Sequence, residues 1–437
     1  MKGKSSPAIL AAAILAIGFA LMLAFNLPGQ LSYDSVSQLM DGRSASYNSW
    51  HPAVMAWLLG LFDDLLPGTA LYLIFEAGLL GLALSLSLSR HANWGAPLVA
   101  VGLVLTPQFL LFQGTVWKDV LFTDAFVLAF AALARAVSGP KPNWPLLVLF
   151  FACLSLAALA RQNALVLLPI GAVTFGWAVS PRSNLHRRLL TATIALGLLL
   201  AMVWGTNAAL AMRGDHGEGL GGEIQLGQIY DLTGAVKHGY RMDRLSQSDP
   251  TLARVIQTLG VKAYSLQMQD TLEPILPAQI AKGAVMAEWL ALLSRNPALY
   301  LRDRLVLFWQ VVATPDIGLC HPAFAGIEGE PDQLKALGLS ARIRPQDVTL
   351  AAYARSFMGT PVLSHLAFAG LGLGLLVLFL RRRHPSDIAM AGLIVGAFGF
   401  AATFFFVSVA CDYRYLYAMD MAVMLALFQY FASPARR

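Results

Sequence analysis

The sequence predicts an all-α polytopic membrane protein with about ten transmembrane helices, interfacial helices in the first outer loop and a mainly helical outer-face domain. Three observations carry this. The 437 residues are 57% hydrophobic and only 13% charged, where a soluble domain carries about 25% charge. Apolar runs long enough to cross about 30 Å of hydrocarbon recur along the chain. The basic residues fall in short clusters between those runs. The net charge of +6 therefore points to membrane topology and not to nucleic acid. A disordered chain and a disulfide scaffold are excluded by the same composition.

The runs cover 8–25, 70–89, 96–114, 120–137, 145–160, 164–180, 189–211, 361–380, 388–410 and 415–432. The first is read as an uncleaved span, being long for a signal peptide and lacking a small-residue cleavage site. With ten spans, Lys2 and Lys4, Arg90, Arg135 and Lys141, Arg182, Arg187 and Arg188, Arg381 to Arg383, and Arg436 and Arg437 all share one face. Nine or eleven spans scatter them. The positive-inside rule then places both termini in the cytoplasm of a multi-pass protein of the cytoplasmic (inner) membrane.

Three blocks follow. Residues 1–211 form an N-terminal module of about seven spans with an outer loop at 26–69. Residues 212–360 form an outer-face domain, and 361–437 a three-span module. The middle block carries a near balance of charge, as a folded water-facing domain does. Its helical signals are Pro250 to 259, 278–294, and Pro297 to 312. The glycine-rich stretch 213–222 reads as a mobile loop. No fixed-period repeat and no matched pair of broken helices is visible.

The chemistry-bearing residues collect on the outer face. Asp34 follows the first span between Tyr33 and Ser35. In a partly dry setting a carboxylate becomes a better base; equally, Asp34 or Ser32 can start a short helix over 35–41. Pro52 suits the first turn of an interfacial helix over 52–65, and His51 before it fits a cap as well as a functional group. The second outer turn holds Lys118 and Asp119. These either pair with each other as they snorkel, or Lys118 meets a phosphate while Asp119 orients it. Arg161 and Arg414 stand in short outer turns, against the positive-inside trend. Together with Lys118 they suit an anionic headgroup; the plain alternative is ion pairing with Asp119 and Asp412. Tyr413 lies beside Arg414. Glu76 and Asp124 are ionisable residues within spans. Cys320 and Cys411 both fall on the outer face, where a bridge and a free pair are equally admissible.

The order of these motifs resembles the C-type membrane glycosyltransferases. It comprises an acid in the first outer loop, Trp-His-Pro opening an interfacial helix, Lys-Asp after span three, Arg-x-Asn after span five and Arg-Tyr before the last span. The resemblance covers the first 180 residues best and the last span moderately, and does not reach 212–360. It implies a polyprenyl-phosphate-linked sugar donor and catalysis by Asp34. It also implies donor-phosphate binding by Lys118, Arg161 and Arg414, with support from Asp119, His51 and Tyr413. Many members carry paired acids in the first loop, whereas Ser35 follows Asp34 here. The implied site is therefore metal-independent, with no cofactor. The partners are the donor, membrane lipids and a glycan, lipid or protein acceptor, with no nucleic acid. Two rivals use the same residues differently: a transporter or flippase for a lipid-linked or anionic substrate, and a lipid-linked glycan polymerase or ligase. The last would rely on Arg302, Arg304 and Arg355.

Overall fold

The computed structural model describes residues 6–47, 52–89, 91–216, 221–267, 271–277, 279–281, 283–320 and 324–433. The chain is all-α apart from one two-residue parallel pairing of Ser46–Tyr47 with Asp215–His216. Each of the ten apolar runs is helical. Among the described residues seven helices are long and apolar enough to span a membrane, or eight if one bent pair is a single span. The exact count of ten is thus not confirmed, and three features account for the lower number.

The run 96–114 is not one helix. Gly95–Val104 and Pro107–Gly114 meet at 61°. Pro107 has no N–H to continue the ladder, and Thr106 caps the second piece by accepting from the Phe109 N–H at 3.3 Å. The helix Trp144–Ala160 is short and ends at Arg161. The helix Lys118–Ala136 carries too many charges for a lipid-facing span. It is instead the centre of its unit: every residue except Lys118 and Arg135 is buried. Phe122 packs on Phe400 with ring centroids 4.3 Å apart, and Phe130 meets Phe150 edge-on at 6.0 Å.

The chain divides into two compact units. The first comprises Met1–His216, Pro322–Ala401 and Leu416–Arg437; the second comprises Gly217–His321 and Ala402–Tyr415. The block 212–360 is therefore split, and its last forty residues or so pack with the apolar helices. The glycine-rich stretch 213–222 lies partly outside the described residues.

In the first unit, the stretch 26–69 contains two helices. Tyr33–Ser44 is longer than the 35–41 expected, and Ala53–Leu65 falls where Pro52 placed it. They cross at glycines. A Cβ on Gly42 would lie 2.3 Å from the Ala56 carbonyl oxygen, and one on Gly60 2.6 Å from that of Gly42. Gly42→Ala is expected to destabilise by about 1–3 kcal/mol, because backbone cannot yield as a side chain does. A thermal melt in detergent checks this, with an unchanged melting temperature as the contrary result. Arg43 and Asp63 lock the crossing through a two-point contact at 2.6 and 2.9 Å.

The second unit has its own core, including Ile229, Leu232, Leu245, Leu252 and Leu292. Its helices include Gly221–Lys237, Ala284–Arg295 and Pro297–Ala313. The helix expected over 278–294 starts later, at Ala284. Arg304 is buried, bonded to Asp231 at 2.6 Å and to the Ser408 carbonyl at 2.7 Å. Burial pushes the Asp231 carboxyl up even against that guanidinium. Cys320 and Cys411 form a disulfide, which resolves the alternative left open by their placement. It closes a long loop, which is where a cross-link most restricts the unfolded chain.

Candidate active site after the first apolar helix

The site is built from the end of the first span outward. The segment after Asn26 runs beside the segment after Phe112. Gln30 N–H donates to the Gly114 carbonyl at 2.9 Å, and Val116 N–H donates back to Gln30 at 3.0 Å. The close approach needs Gly114, since a Cβ there would sit 2.0 Å from the Asn26 side chain. Two serines extend the contact. Ser32 Oγ accepts from Trp117 Nε1 at 2.8 Å, and Ser35 Oγ donates to the Val116 carbonyl at 2.7 Å. Ser32 is also the N-cap of Tyr33–Ser44, its N–H donating to Ser35 Oγ at 3.1 Å. Asp34 therefore sits in the first helical turn, half-buried, between two serines fastened to 116 and 117. Lys118, also half-buried, is the next residue along the facing segment.

Asp119 is buried and forms an ion pair with Arg161, the residue that ends Trp144–Ala160. Arg161 stands 5.8 Å from the Phe400 ring centroid, near enough for a cation–π contribution. The ion pair that the sequence left open between Lys118 and Arg161 as Asp119's partner thus includes Arg161. Four of the expected residues, Asp34, Lys118, Asp119 and Arg161, gather on contacting segments of the first unit. Tyr413 and Arg414 belong to the second unit. There the Tyr413 N–H donates to the Cys320 carbonyl at 2.8 Å, and Arg414 Nε bonds Asp412 at 2.8 Å. His51 lies outside the described residues. Among the described residues no group of three or more His, Cys, Asp or Glu is arranged to hold a metal.

Sequence reasoning missed what fixes this platform. Gln30, fully buried, bonds three partners through its side chain, besides Gly114 and Val116 through its backbone. Its Nε2 donates to Asn26 Oδ1 and Asp347 Oδ1, both at 3.1 Å, and its Oε1 accepts from Gly326 N–H at 2.7 Å. Leu31 N–H donates to the Gly326 carbonyl at 2.9 Å. Asp347 in turn bonds Arg344, whose Nη1 donates to the Leu27 carbonyl at 2.7 Å. A buried glutamine inside Leu27-Pro28-Gly29-Gln30-Leu31 is the only advance signal. Deeper in the bundle, Gln113 bridges Asp124 and Tyr417, and Glu76 is fully buried nearby in Ala70–Ser87.

Burial works against the Asp347 charge. The Arg344 guanidinium and N–H, with Gln30, outweigh it and hold the carboxyl below the usual carboxylate range. A depressed folded-state value contributes stability that is complete above the unfolded pKa and vanishes as pH falls through the folded one. Asp63 follows the same sign, with burial overcome by Arg43 and the Gly68 N–H. Below the ordinary carboxylate range the platform should loosen. Melting temperature against pH should show a steeper acid fall in the wild type than in Asp347→Asn; superimposable acid limbs would remove this coupling.

A helical membrane protein with a carboxylate and cations gathered on one loop platform is the class that fold and site define. No protein-family model and no curated protein sequence matches the chain. Among solved structures it is similar to the Archaeoglobus fulgidus oligosaccharyltransferase tethered to an acceptor peptide, with 12% identity and a TM-score of 0.40. A second structure, AglB from Archaeoglobus fulgidus with an inhibitory peptide and a dolichol-phosphate, gives 13% and 0.39. ArnT from Cupriavidus metallidurans bound to undecaprenyl phosphate gives 13% and 0.33. Each match covers 96% of this chain; the chain spans about half the length of the oligosaccharyltransferases and 77% of ArnT. TM-scores of this size assign neither a residue role nor a substrate to this chain.

Proposed function

We propose that the protein is a membrane glycosyltransferase that moves a sugar from a polyprenyl-phosphate donor to an acceptor hydroxyl at the outer face of the cytoplasmic membrane. The observation that carries the reading is the clamp of Ser32 and Ser35 onto Val116 and Trp117, which seats Asp34 and Lys118 on abutting segments. Asp34 takes the proton of the acceptor hydroxyl as that oxygen attacks the anomeric carbon. The bond from that carbon to the lipid phosphate breaks, and the phosphate leaves with the electron pair. In-line attack inverts the anomeric centre. Lys118 and Arg161 stabilise the charge that develops on the leaving phosphate, and Asp119 holds Arg161 in place. The reaction as written requires no metal and no cofactor.

The test is to incubate the purified full chain with a panel of polyprenyl-phosphate sugars and follow release of polyprenyl phosphate. Lys118→Ala is expected to raise the donor concentration needed for saturation while leaving the melting temperature near wild type. Unchanged donor saturation would return Lys118 to a snorkelling role.

A second reading, transport, draws on the burial of both Glu76 and Asp124 within helices. It predicts vesicle uptake or lipid translocation without release of polyprenyl phosphate, so the same panel separates the two.

A further inference from the structure

The helices Leu167–Val179 and Pro385–Val407 run antiparallel and meet at a small residue. A Cβ on Gly392 would lie 2.3 Å from the Thr174 side chain, and one on Gly399 2.8 Å from Ile170. Such contacts bring membrane helices close. Beside this seam lies a cleft of about 410 Å³, within the range of preformed ligand sites. Val173 and Trp177 form one wall, Ile388, Ala391 and Val395 the other, with Leu380 of His365–Arg382 closing one side. The hydroxyl of Thr174 is turned to its own helix, donating to the Ile170 carbonyl at 2.8 Å. Nothing on these walls would hold a polar head.

The polarity lies at one end. Arg381 and Arg383 come one and three residues after Leu380, and Arg182 five residues after Trp177; all three are exposed. Arg382 is committed elsewhere, stacked 4.0 Å over the Tyr430 ring. Arg188 is committed too, its Nε donating to the Ser180 carbonyl at 3.2 Å. Asp387, the nearest acid in sequence, is buried. From Ile388 to Val395 the cleft reaches about 10 Å into the apolar layer at 1.5 Å per residue.

We propose that this cleft holds an acyl chain of an anionic glycerophospholipid, with the lipid phosphate at Arg381, Arg383 and Arg182. An apolar slot with a cationic rim complements an amphiphile with an anionic head. A soluble anion would leave the slot unfilled, and a zwitterionic lipid would gain little from the rim. The position is about 22 Å along the helical stretch Gln162–Val179 from Arg161, so the proposal does not depend on the reading of Asp34 and Lys118.

The test is native mass spectrometry of the full chain, released from nanodiscs of equal parts phosphatidylglycerol and phosphatidylcholine. The wild type should retain one phosphatidylglycerol in preference to phosphatidylcholine. Arg381→Gln and Arg383→Gln should each lower that preference about fivefold, as one arginine near a charged headgroup does. Val395→Trp, at an exposed position on the wall, should block retention. Ala391→Phe should do the same, and the melting temperature of each variant shows that it is folded. Equal retention of the two lipids, or full retention by folded Val395→Trp, would overturn the proposal. So would displacement of phosphatidylglycerol by undecaprenyl phosphate added in equal amount, which would make the cleft a carrier-lipid site.

Discussion

Asp34→Asn should abolish most sugar transfer while leaving the protein folded. General-base assistance contributes about 10²–10⁴-fold, so the loss should fall in that range. The amide is nearly isosteric with the carboxylate and cannot take the acceptor proton. It can still occupy the first turn of Tyr33–Ser44, whose start Ser32 and Ser35 hold. The measurement is the rate of polyprenyl-phosphate release at saturating donor, paired with a thermal melt. A base defect lowers turnover with donor saturation little changed. Wild-type turnover in a folded Asp34→Asn protein would sink the proposed base.

Arg161→Ala should be the most destabilising single change near the site. The variant leaves the Asp119 carboxylate, only 3% exposed, without the guanidinium it is paired with. Removing one partner of a buried pair costs about 3–5 kcal/mol, chiefly through the charge left behind. Asp119→Ala in the Arg161→Ala background should recover much of that loss, because the stranded charge goes too. Chemical denaturation of the four proteins of this cycle measures the coupling. Additive losses would mean the pair is not a unit. The same cycle separates structure from chemistry: the double variant should regain stability without regaining transfer if Arg161 also meets the donor phosphate.

The correspondence between sequence and structure is strong at the level of helices and weak at the level of partners. Each apolar run became helical because backbone polar groups out of water must bond within their own segment. The helix after Pro52 starts where that residue's fixed φ allows it. The break at Thr106-Pro107 has its own local sign, yet hydropathy predicts one span across it. Hydropathy averages over a window and does not register a missing N–H. The central helix Lys118–Ala136 was legible as an element but not as the core of its unit, since its charges and its complete enclosure depend on which helices surround it.

The cysteines show the same division. Their common face was legible, and their bond was a matter of geometry across a long loop. Each charged turn is visible singly in the sequence, but Asp119 is paired with Arg161 across two helices, and no spacing rule encodes such a contact. Gln30 is the clearest case. One glutamine in an apolar stretch gives little warning that it will bond Asp347, more than three hundred residues away.

By itself, then, the sequence determined an all-helical membrane chain, which helices it contains and which of their turns carry charge. Those properties are set by local bonding and by transfer of side chains out of water. Only the tertiary structure decided that 26–35, 114–119, Arg161 and the 326–347 stretch make one platform, because which distant polar groups satisfy one another is settled when the helices pack.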